Sequence, residues 1–236
     1  MSGWRAKRFW KAASVEGGGD GFAVQLDGRP LRTPAKAALV VPTRAMATAI
    51  AVEWDAQGDD VDPRTMPVTR SANAAIDKVR PQHAEVAALI ADYGGTDLLC
   101  YRADAPPALI ARQAAAWDPL LDWAAGALGA RLVVTQGVIP VAQPGAALDA
   151  LMDQVTALSA FELAALHDLV SITGSLVLGL AVARGRISGQ EAWDIARIDE
   201  TWQIEQWGAD EEAAEEAALK RAALLDAERF WHLARG

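Results

Sequence analysis

The chain has 236 residues and a mass of 25.0 kDa, with 52% hydrophobic and 22% charged residues. This balance is typical of a globular protein and excludes a wholly disordered one. The net charge of −9 argues against general binding to a nucleic-acid backbone, which requires clustered positive charge. The single cysteine, Cys100, excludes an internal disulfide framework and a multi-cysteine zinc site.

Strand and turn signals come first along the chain. Apolar residues alternate in Phe22-Ala23-Val24-Gln25-Leu26, and the Asp27-Gly28 that follows is typical of a tight hairpin turn. The return strand would begin at Arg29, with Pro30 indicating an edge position. Residues 39–41 form a second short strand candidate. The sequence therefore predicts a small β-structure before residue 43.

Helix signals take over from Thr43, a favourable N-cap that precedes apolar residues at three- and four-residue spacing. Asp118-Pro119 predicts a cap followed by a first helical residue. The pairs Ser159 with Glu162 and Ser188 with Glu191 match the capping box. We therefore predict an α+β protein, with a small mixed domain over residues 1–90 and a larger all-helical domain over residues 91–236. The boundary is expected between residues 58 and 107.

The longest apolar run covers residues 169–183. It is shorter than the roughly 20 apolar residues that a membrane-spanning helix needs, so no membrane insertion is expected. The run predicts one buried helix at the centre of the helical domain. Gly174, Ser175 and Gly179 would let neighbouring helices approach it closely.

Candidate catalytic groups are few. The run Gly17-Gly18-Gly19-Asp20-Gly21 lacks the lysine and hydroxyl residue of a phosphate-binding loop, and is read as a turn. His167 and Asp168 are adjacent in a predicted helix, where neighbouring side chains do not face each other. Cys100 lies in an apolar setting that suits an inert thiol. We expect no catalytic residue, metal site or cofactor. An enzyme that uses His167, Asp168 or Cys100 between the two domains remains an alternative.

Tryptophans and acids mark the region after residue 198. The chain has nine tryptophans, and residues 199–216 are rich in Asp and Glu without a Lys or Arg. Such a charge run usually forms a solvated helix face. Glu205, however, lies between two tryptophans and is a candidate contact for a protein partner. At helical spacing Trp202 and Glu205 share a face, whereas Trp207 is turned away and is expected to pack inward.

Short motifs in a specific order run through nearly the whole chain. They are Arg8-Phe9-Trp10-Lys11, Leu26-Asp27-Gly28-Arg29-Pro30-Leu31-Arg32-Thr33-Pro34, Glu53-Trp54-Asp55-Ala56-Gln57, Met66-Pro67-Val68-Thr69-Arg70, Thr96-Asp97-Leu98-Leu99-Cys100-Tyr101-Arg102, Trp117-Asp118-Pro119-Leu120, Thr173-Gly174-Ser175-Leu176-Val177-Leu178 and Trp202-Gln203-Ile204-Glu205-Gln206-Trp207-Gly208. In this order the motifs resemble the ATP synthase F(1) assembly chaperones that act on the alpha subunit.

The resemblance implies a non-enzymatic chaperone that binds the free alpha subunit and limits its aggregation until the beta subunit replaces it. It also implies a functional role for Glu205. Trp202, Gln203, Trp54 and Asp55 are further candidate partner-binding residues. A structural role for Glu205, with its carboxylate satisfying backbone amides or an arginine between the domains, remains open. A stable structural subunit of a larger complex is the other alternative function.

The resemblance covers mitochondrial and bacterial proteins. The start of the chain is basic and lacks the apolar stretch of a signal peptide, and no long transit peptide precedes Arg8. The expected location is the bacterial cytoplasm, or the mitochondrial matrix for a eukaryotic source.

Overall fold

The structure, a computed structural model, describes residues 7–137 and 139–236, so the basic start of the chain lies partly outside it. The described residues divide into two units. The first contains those up to His83 together with Ser159–Ala165 and Arg229–Gly236. The second contains Ala84–Leu158 and Leu166–Glu228. Each unit includes more than one stretch of chain. The domain boundary that the sequence places between residues 58 and 107 stays a prediction.

An antiparallel sheet forms part of the first unit. Its strands are β1 (Ala13–Gly18), β2 (Gly21–Leu26), β3 (Arg29–Pro30) and β4 (Val40–Val41). Strand β2 pairs with all three others, and both β3 and β4 lie antiparallel to it. The predicted turn is confirmed, because Asp27 and Gly28 have φ values of 48° and 77° between β2 and β3. Strand β1 was not predicted, since its residues are half-buried or exposed and show no apolar alternation.

Helix α1 (Arg44–Asp55) packs on β1 and β2. Its predicted cap is confirmed: the Thr43 hydroxyl accepts a hydrogen bond from the Met46 amide at 3.1 Å. The side chains of Met46 and Ile50 are fully buried, as their spacing predicted. Helix α2 (Pro67–Ala74) follows and continues through a π-helical segment, Ala75–Val79.

The remaining elements are mostly helical. The helices are α3 (His83–Ala91), α4 (Pro107–Ala127), α5 (Gly145–Thr156), α6 (Ala160–Thr173), α7 (Leu176–Ala183), α8 (Gly189–Ala196), α9 (Ile198–Trp207) and α10 (Glu211–Arg235). Two short strands that were not predicted, β5 (Tyr101–Arg102) and β6 (Thr135–Gln136), pair in parallel. Residues 145–236, all of them described, contain only helices as regular elements, so the α+β class with a largely helical C-terminal part is confirmed.

The predicted helix start at Asp118-Pro119 is wrong. Helix α4 begins at Pro107 and runs through Pro119. Instead of capping, the Asp118 carboxylate accepts a hydrogen bond from Arg102 Nη2 at 2.7 Å. The sequence pattern favoured a helix start here because proline lacks the backbone N–H that residues in a helix interior donate. Helix α4 nevertheless continues through Pro119 without that hydrogen bond.

The predicted single helix over residues 169–183 is also wrong. The chain leaves α6 after Thr173, turns at Gly174 with a φ of 70°, and enters α7 with Ser175 as its N-cap. The Ser175 hydroxyl accepts a hydrogen bond from the Leu178 amide at 3.0 Å. Gly174 and Ser175 therefore break the helix instead of allowing a neighbour to approach. Burial is as predicted, since α7 is buried from Leu176 to Val182.

Gly179 does mark a close approach. A Cβ at this position would lie 2.5 Å from Cγ2 of Val170 and 3.2 Å from Cδ1 of Leu166. We expect Gly179→Leu to lower the free energy of unfolding by about 1–3 kcal/mol, because the extra side chain overpacks this contact. Urea unfolding measures the loss. Gly126→Leu is the matched control, because a Cβ there meets no atom within 4 Å. Equal stability of the two variants would contradict the prediction.

Candidate functional site

Helix α9 lies against α4 within the second unit. Near its start, Ile198 is buried and the Asp199 carboxylate accepts a hydrogen bond from Gln113 Nε2 at 2.6 Å. Beyond this attachment the helix is open: residues 203–210 are all exposed, whereas Trp202 is half-buried. The segment with the tryptophan–acid motif is therefore held at one end and presented to solvent at the other.

Glu205 forms an ion pair with Arg112 of α4. The Nη1–Oε1 and Nη2–Oε2 distances are both 2.9 Å, a bidentate geometry. The guanidinium of Arg112 also lies 5.0 Å from the centre of the Trp202 ring, a cation–π distance. Its hydrogen bond holds the pKa of Glu205 below the usual range. Trp202 and Glu205 thus share a face, as their spacing predicted, and Arg112 joins them.

Arg112 was missed by sequence reasoning. It is separated from Glu205 by 93 positions, and no local pattern relates two residues so far apart. The ion pair is partly exposed, with 39% and 45% of the two side chains accessible. Such a pair adds little to stability. Its two hydrogen bonds and the cation–π contact favour one arrangement of the Glu205 carboxylate and the Trp202 ring.

The prediction that Trp207 packs inward is wrong: it is 79% exposed. Helical spacing correctly separates Trp207 from the face of Trp202 and Glu205, but it does not say whether another element covers the opposite face. Here the chain turns at Gly208, with a φ of 92°, and begins α10 at Glu211. The described chain therefore leaves the Trp207 side chain largely exposed at the end of α9.

A groove lies between the end of α9 and the start of α10, with a volume of about 320 Å³. We call it the α9–α10 groove. It is lined by Arg197, Glu200, Gln203, Ile204, Trp207, Gly208, Ala209, Asp210, Ala213, Ala214 and Ala217. Its walls are largely apolar and its edge is acidic. The predicted partner-binding residue Gln203 belongs to this groove, whereas Trp202 and Glu205 contact Arg112.

Trp54 and Asp55 belong to the first unit, at the end of α1. Trp54 is half-buried and packs edge-to-face on Trp10, with ring centres 5.0 Å apart. The Asp55 carboxylate accepts a hydrogen bond from the Ala13 amide at 2.8 Å. Both side chains therefore make contacts within the first unit, Trp54 by packing and Asp55 by hydrogen bonding.

Several of the other sequence motifs contact each other in pairs. Glu53 accepts hydrogen bonds from the amides of Val68 and Thr69, and Asp97 accepts them from the Ser175 hydroxyl and the Val177 amide. These contacts give the motifs a structural role. The motif on α9 differs, because most of its residues are exposed.

The catalytic candidates His167, Asp168 and Cys100 lie in two different environments. His167 Nδ1 lies 2.9 Å from Asp168 Oδ1, so the expectation that these neighbours would not face each other is wrong. Both are about half exposed, and the hydrogen bond raises the pKa of His167. Cys100 is fully buried, and burial raises its pKa to about 12. A thiol with that pKa is protonated near neutral pH and is a poor nucleophile.

The described residues contain neither a metal-binding cluster nor a membrane-spanning helix. Within residues 7–137 and 139–236, no group of three or more His, Cys, Asp or Glu side chains is arranged to hold a metal ion. No helix in these ranges combines the length and apolar character needed to cross a membrane.

Comparison with known proteins relates the chain to chaperones. A model of the ATP12 chaperone protein family matches residues 7–125. The chain is 25% identical over 215 residues to "Protein atp12, mitochondrial" of Schizosaccharomyces pombe, an alignment that covers 86% of this chain and 74% of that protein. The crystal structure of Atp12 from Paracoccus denitrificans superposes with a TM-score of 0.95 at 56% identity, covering 98% of this chain and 99% of the other. A protein from Agrobacterium tumefaciens gives a TM-score of 0.89 at 45% identity, covering 94% and 85%.

Proposed function

The chain belongs to the ATP12 chaperone family, and we propose that it binds the free F(1) alpha subunit through the exposed part of α9. Its function is that of a non-enzymatic chaperone in the assembly of ATP synthase F(1), as the order of its motifs predicted.

One observation carries the choice of α9. Its motif combines exposed apolar and acidic side chains, Ile204, Trp207 and Glu205, in a segment where every residue from 203 to 210 is open to solvent. In contrast, Glu53 and Asp97 of other motifs are buried and bonded within their own units. A surface with these features suits contact with another protein better than it suits a structural role.

The requirements of binding and releasing a client protein also favour α9 as the binding surface. An unassembled subunit exposes an apolar interface, which promotes aggregation. A chaperone must cover that interface and still be displaced by the true partner, so a few anchor residues serve better than a large dry interface. The Arg112 contact holds Glu205 and Trp202 in place before the client arrives, which lowers the entropy lost on binding.

The proposed client-binding residues also include Trp54 and Asp55 at the end of α1. Their side chains pack on Trp10 and bond to the Ala13 amide. Substitution there is therefore expected to change stability as well as client capture. These two residues are less suitable than Glu205 for testing the interface.

Glu205→Gln is the direct test. We expect the fold to stay intact, because the residue is exposed and glutamine can still accept one hydrogen bond from Arg112. Binding of the alpha subunit should weaken by roughly 1–3 kcal/mol if the carboxylate makes a charged hydrogen bond to the client. Capture of the purified alpha subunit and thermal unfolding are measured on one preparation.

Glu216→Gln is the matched control for this substitution. Glu216 is also an exposed, ion-paired glutamate, with Lys220 Nζ 2.7 Å from its Oε1. The control should bind the client normally. Normal capture by folded Glu205→Gln protein would remove Glu205 from the interface, and a marked loss of stability would assign it a structural role.

We further propose the bacterial cytoplasm as the location. Support comes from the sequence identity, which is 56% to the Paracoccus denitrificans protein and 25% to the mitochondrial protein of Schizosaccharomyces pombe.

A pull-down from cell extract separates a chaperone from a stable structural subunit. The chaperone should capture free alpha subunit, whereas a structural subunit would stay in the assembled enzyme.

A further inference from the structure

We propose that the α9–α10 groove binds a segment of the client polypeptide that places an apolar side chain beside a lysine or arginine. This inference rests on the proposed function and extends it, because it assigns the groove a separate part of the contact with the alpha subunit. Glu205 and Trp202 lie on the α9 face that meets Arg112, whereas the groove uses Gln203, Ile204 and Trp207.

The walls of the groove are unusual for a solvent-facing surface. Trp207 is 79% and Ile204 46% exposed, and they lie three positions apart on the last turn of α9. No other tryptophan in residues 7–137 and 139–236 is classed as exposed. Leaving these side chains in water is unfavourable in the free protein, so covering them would contribute to binding.

The floor of the groove is built from small residues. Ala209, Ala213 and Ala214 line it from the linker and the start of α10, and Ala217 lies one turn further along. Ala213 and Ala214 are exposed, so no side chain of the described protein fills the space. The groove therefore has room for an apolar side chain of another chain against Trp207.

The charge around the groove identifies the chemistry of its occupant. Glu200 and Asp210 line it, and acids continue along the start of α10 at Glu211, Glu212 and Glu215. One lining residue, Arg197, is basic, but it lies 3.7 Å from Glu200 and stacks on Trp193 at 4.9 Å. An acidic edge attracts and orients a basic segment, which makes lysine or arginine next to the apolar anchor the complementary pattern.

Two substitutions test the groove in different ways. Trp207→Ala removes a wall, and Ala213→Leu fills the space. Each should weaken capture of the purified alpha subunit at least about tenfold, since central aromatic anchors dominate binding energy. Both positions are exposed, so thermal stability should not change. Leu219→Ala is the control: this leucine is 73% exposed on α10 and does not line the groove.

Site-specific labelling gives a readout that does not depend on affinity. The native thiol of Cys100 is buried and has a pKa of about 12, so a maleimide dye should react selectively with an introduced cysteine. An environment-sensitive dye at Ala213→Cys should shift to the blue when the alpha subunit is added. The same dye at Leu219→Cys should show no shift.

The outcomes separate this inference from the proposed function. If the unmodified chain fails to capture the alpha subunit, the proposed function fails. If the unmodified chain binds while Trp207→Ala and Ala213→Leu bind equally well, the groove inference is overturned and the proposed function stands. A dimer of the chain that Trp207→Ala abolishes would also overturn the inference, because it would make a second copy the occupant.

Discussion

Asp97→Ala is expected to lower the free energy of unfolding by about 3–5 kcal/mol, since it removes the shared acceptor of several buried donors. Asp97 is fully buried. Its Oδ1 accepts hydrogen bonds from the Ser175 hydroxyl at 2.7 Å and the Leu99 amide at 3.0 Å, and its Oδ2 accepts one from the Val177 amide at 2.9 Å. Alanine would leave these donors without that acceptor in the protein interior.

Urea unfolding of the purified variant measures the loss. Asp92→Ala is the control, since it makes the same change at an exposed position five residues earlier in the chain. Asp97→Asn should fall between the two, because it keeps one acceptor oxygen. A loss below about 1 kcal/mol for Asp97→Ala would show that other groups or water satisfy the three donors.

The stability that depends on Asp97 should also vary with pH. Burial raises its pKa from 3.8 to about 6. Because the folded pKa lies above the unfolded one, the contribution is fully present below pH 3.8 and is lost as the pH rises through about 6. The loss amounts to about 3 kcal/mol. Asp97→Asn should therefore be more destabilising, relative to the unmodified chain, at about pH 4 than at about pH 7. An equal effect at both would contradict this.

Glu53→Ala is expected to lower the free energy of unfolding by about 2–4 kcal/mol. Glu53 is buried on α1, and its Oε1 accepts a hydrogen bond from the Val68 amide at 2.7 Å. Its Oε2 accepts one from the Thr69 amide at 2.8 Å and one from the Thr69 hydroxyl at 2.7 Å. These amides belong to the first turn of α2, whose N-cap residue Met66 makes no side-chain hydrogen bond. Glu53 thus caps α2 from a different helix.

Val52→Ala is the control for this prediction, because the neighbouring valine is 61% exposed. Thermal and urea unfolding should show a large loss for Glu53→Ala and a small change for Val52→Ala. Glu53→Gln should recover part of the stability, since glutamine keeps one acceptor. If Glu53→Ala unfolds with the same midpoint as the unmodified chain, the cap is not needed for α2.

Variants of Asp97 and Glu53 distinguish the motifs with a structural role from the α9 motif that we propose binds the client. Destabilised Asp97 and Glu53 variants should bind the client in proportion to the fraction that is folded. Glu205→Gln and Trp207→Ala should bind weakly while fully folded, because both residues are exposed. Plotting capture against the folded fraction of each variant distinguishes the two groups.

The sequence by itself determined the features that depend on near neighbours. The hairpin turn at Asp27-Gly28, the Thr43 cap and the capping box of Ser188 with Glu191 are all present as predicted. Each depends on residues within a few positions of one another, where sterics and local hydrogen bonds act. The family also followed from sequence, since the order of many motifs was informative.

The tertiary structure decided which residues meet and which stay uncovered. Glu205 meets Arg112 across 93 positions, and Asp97 meets Ser175 across 78. Trp207 remains exposed because the described chain turns away at Gly208 and leaves the end of α9 open. Periodicity places a side chain on one face of a helix, but burial depends on which distant segments pack against that face.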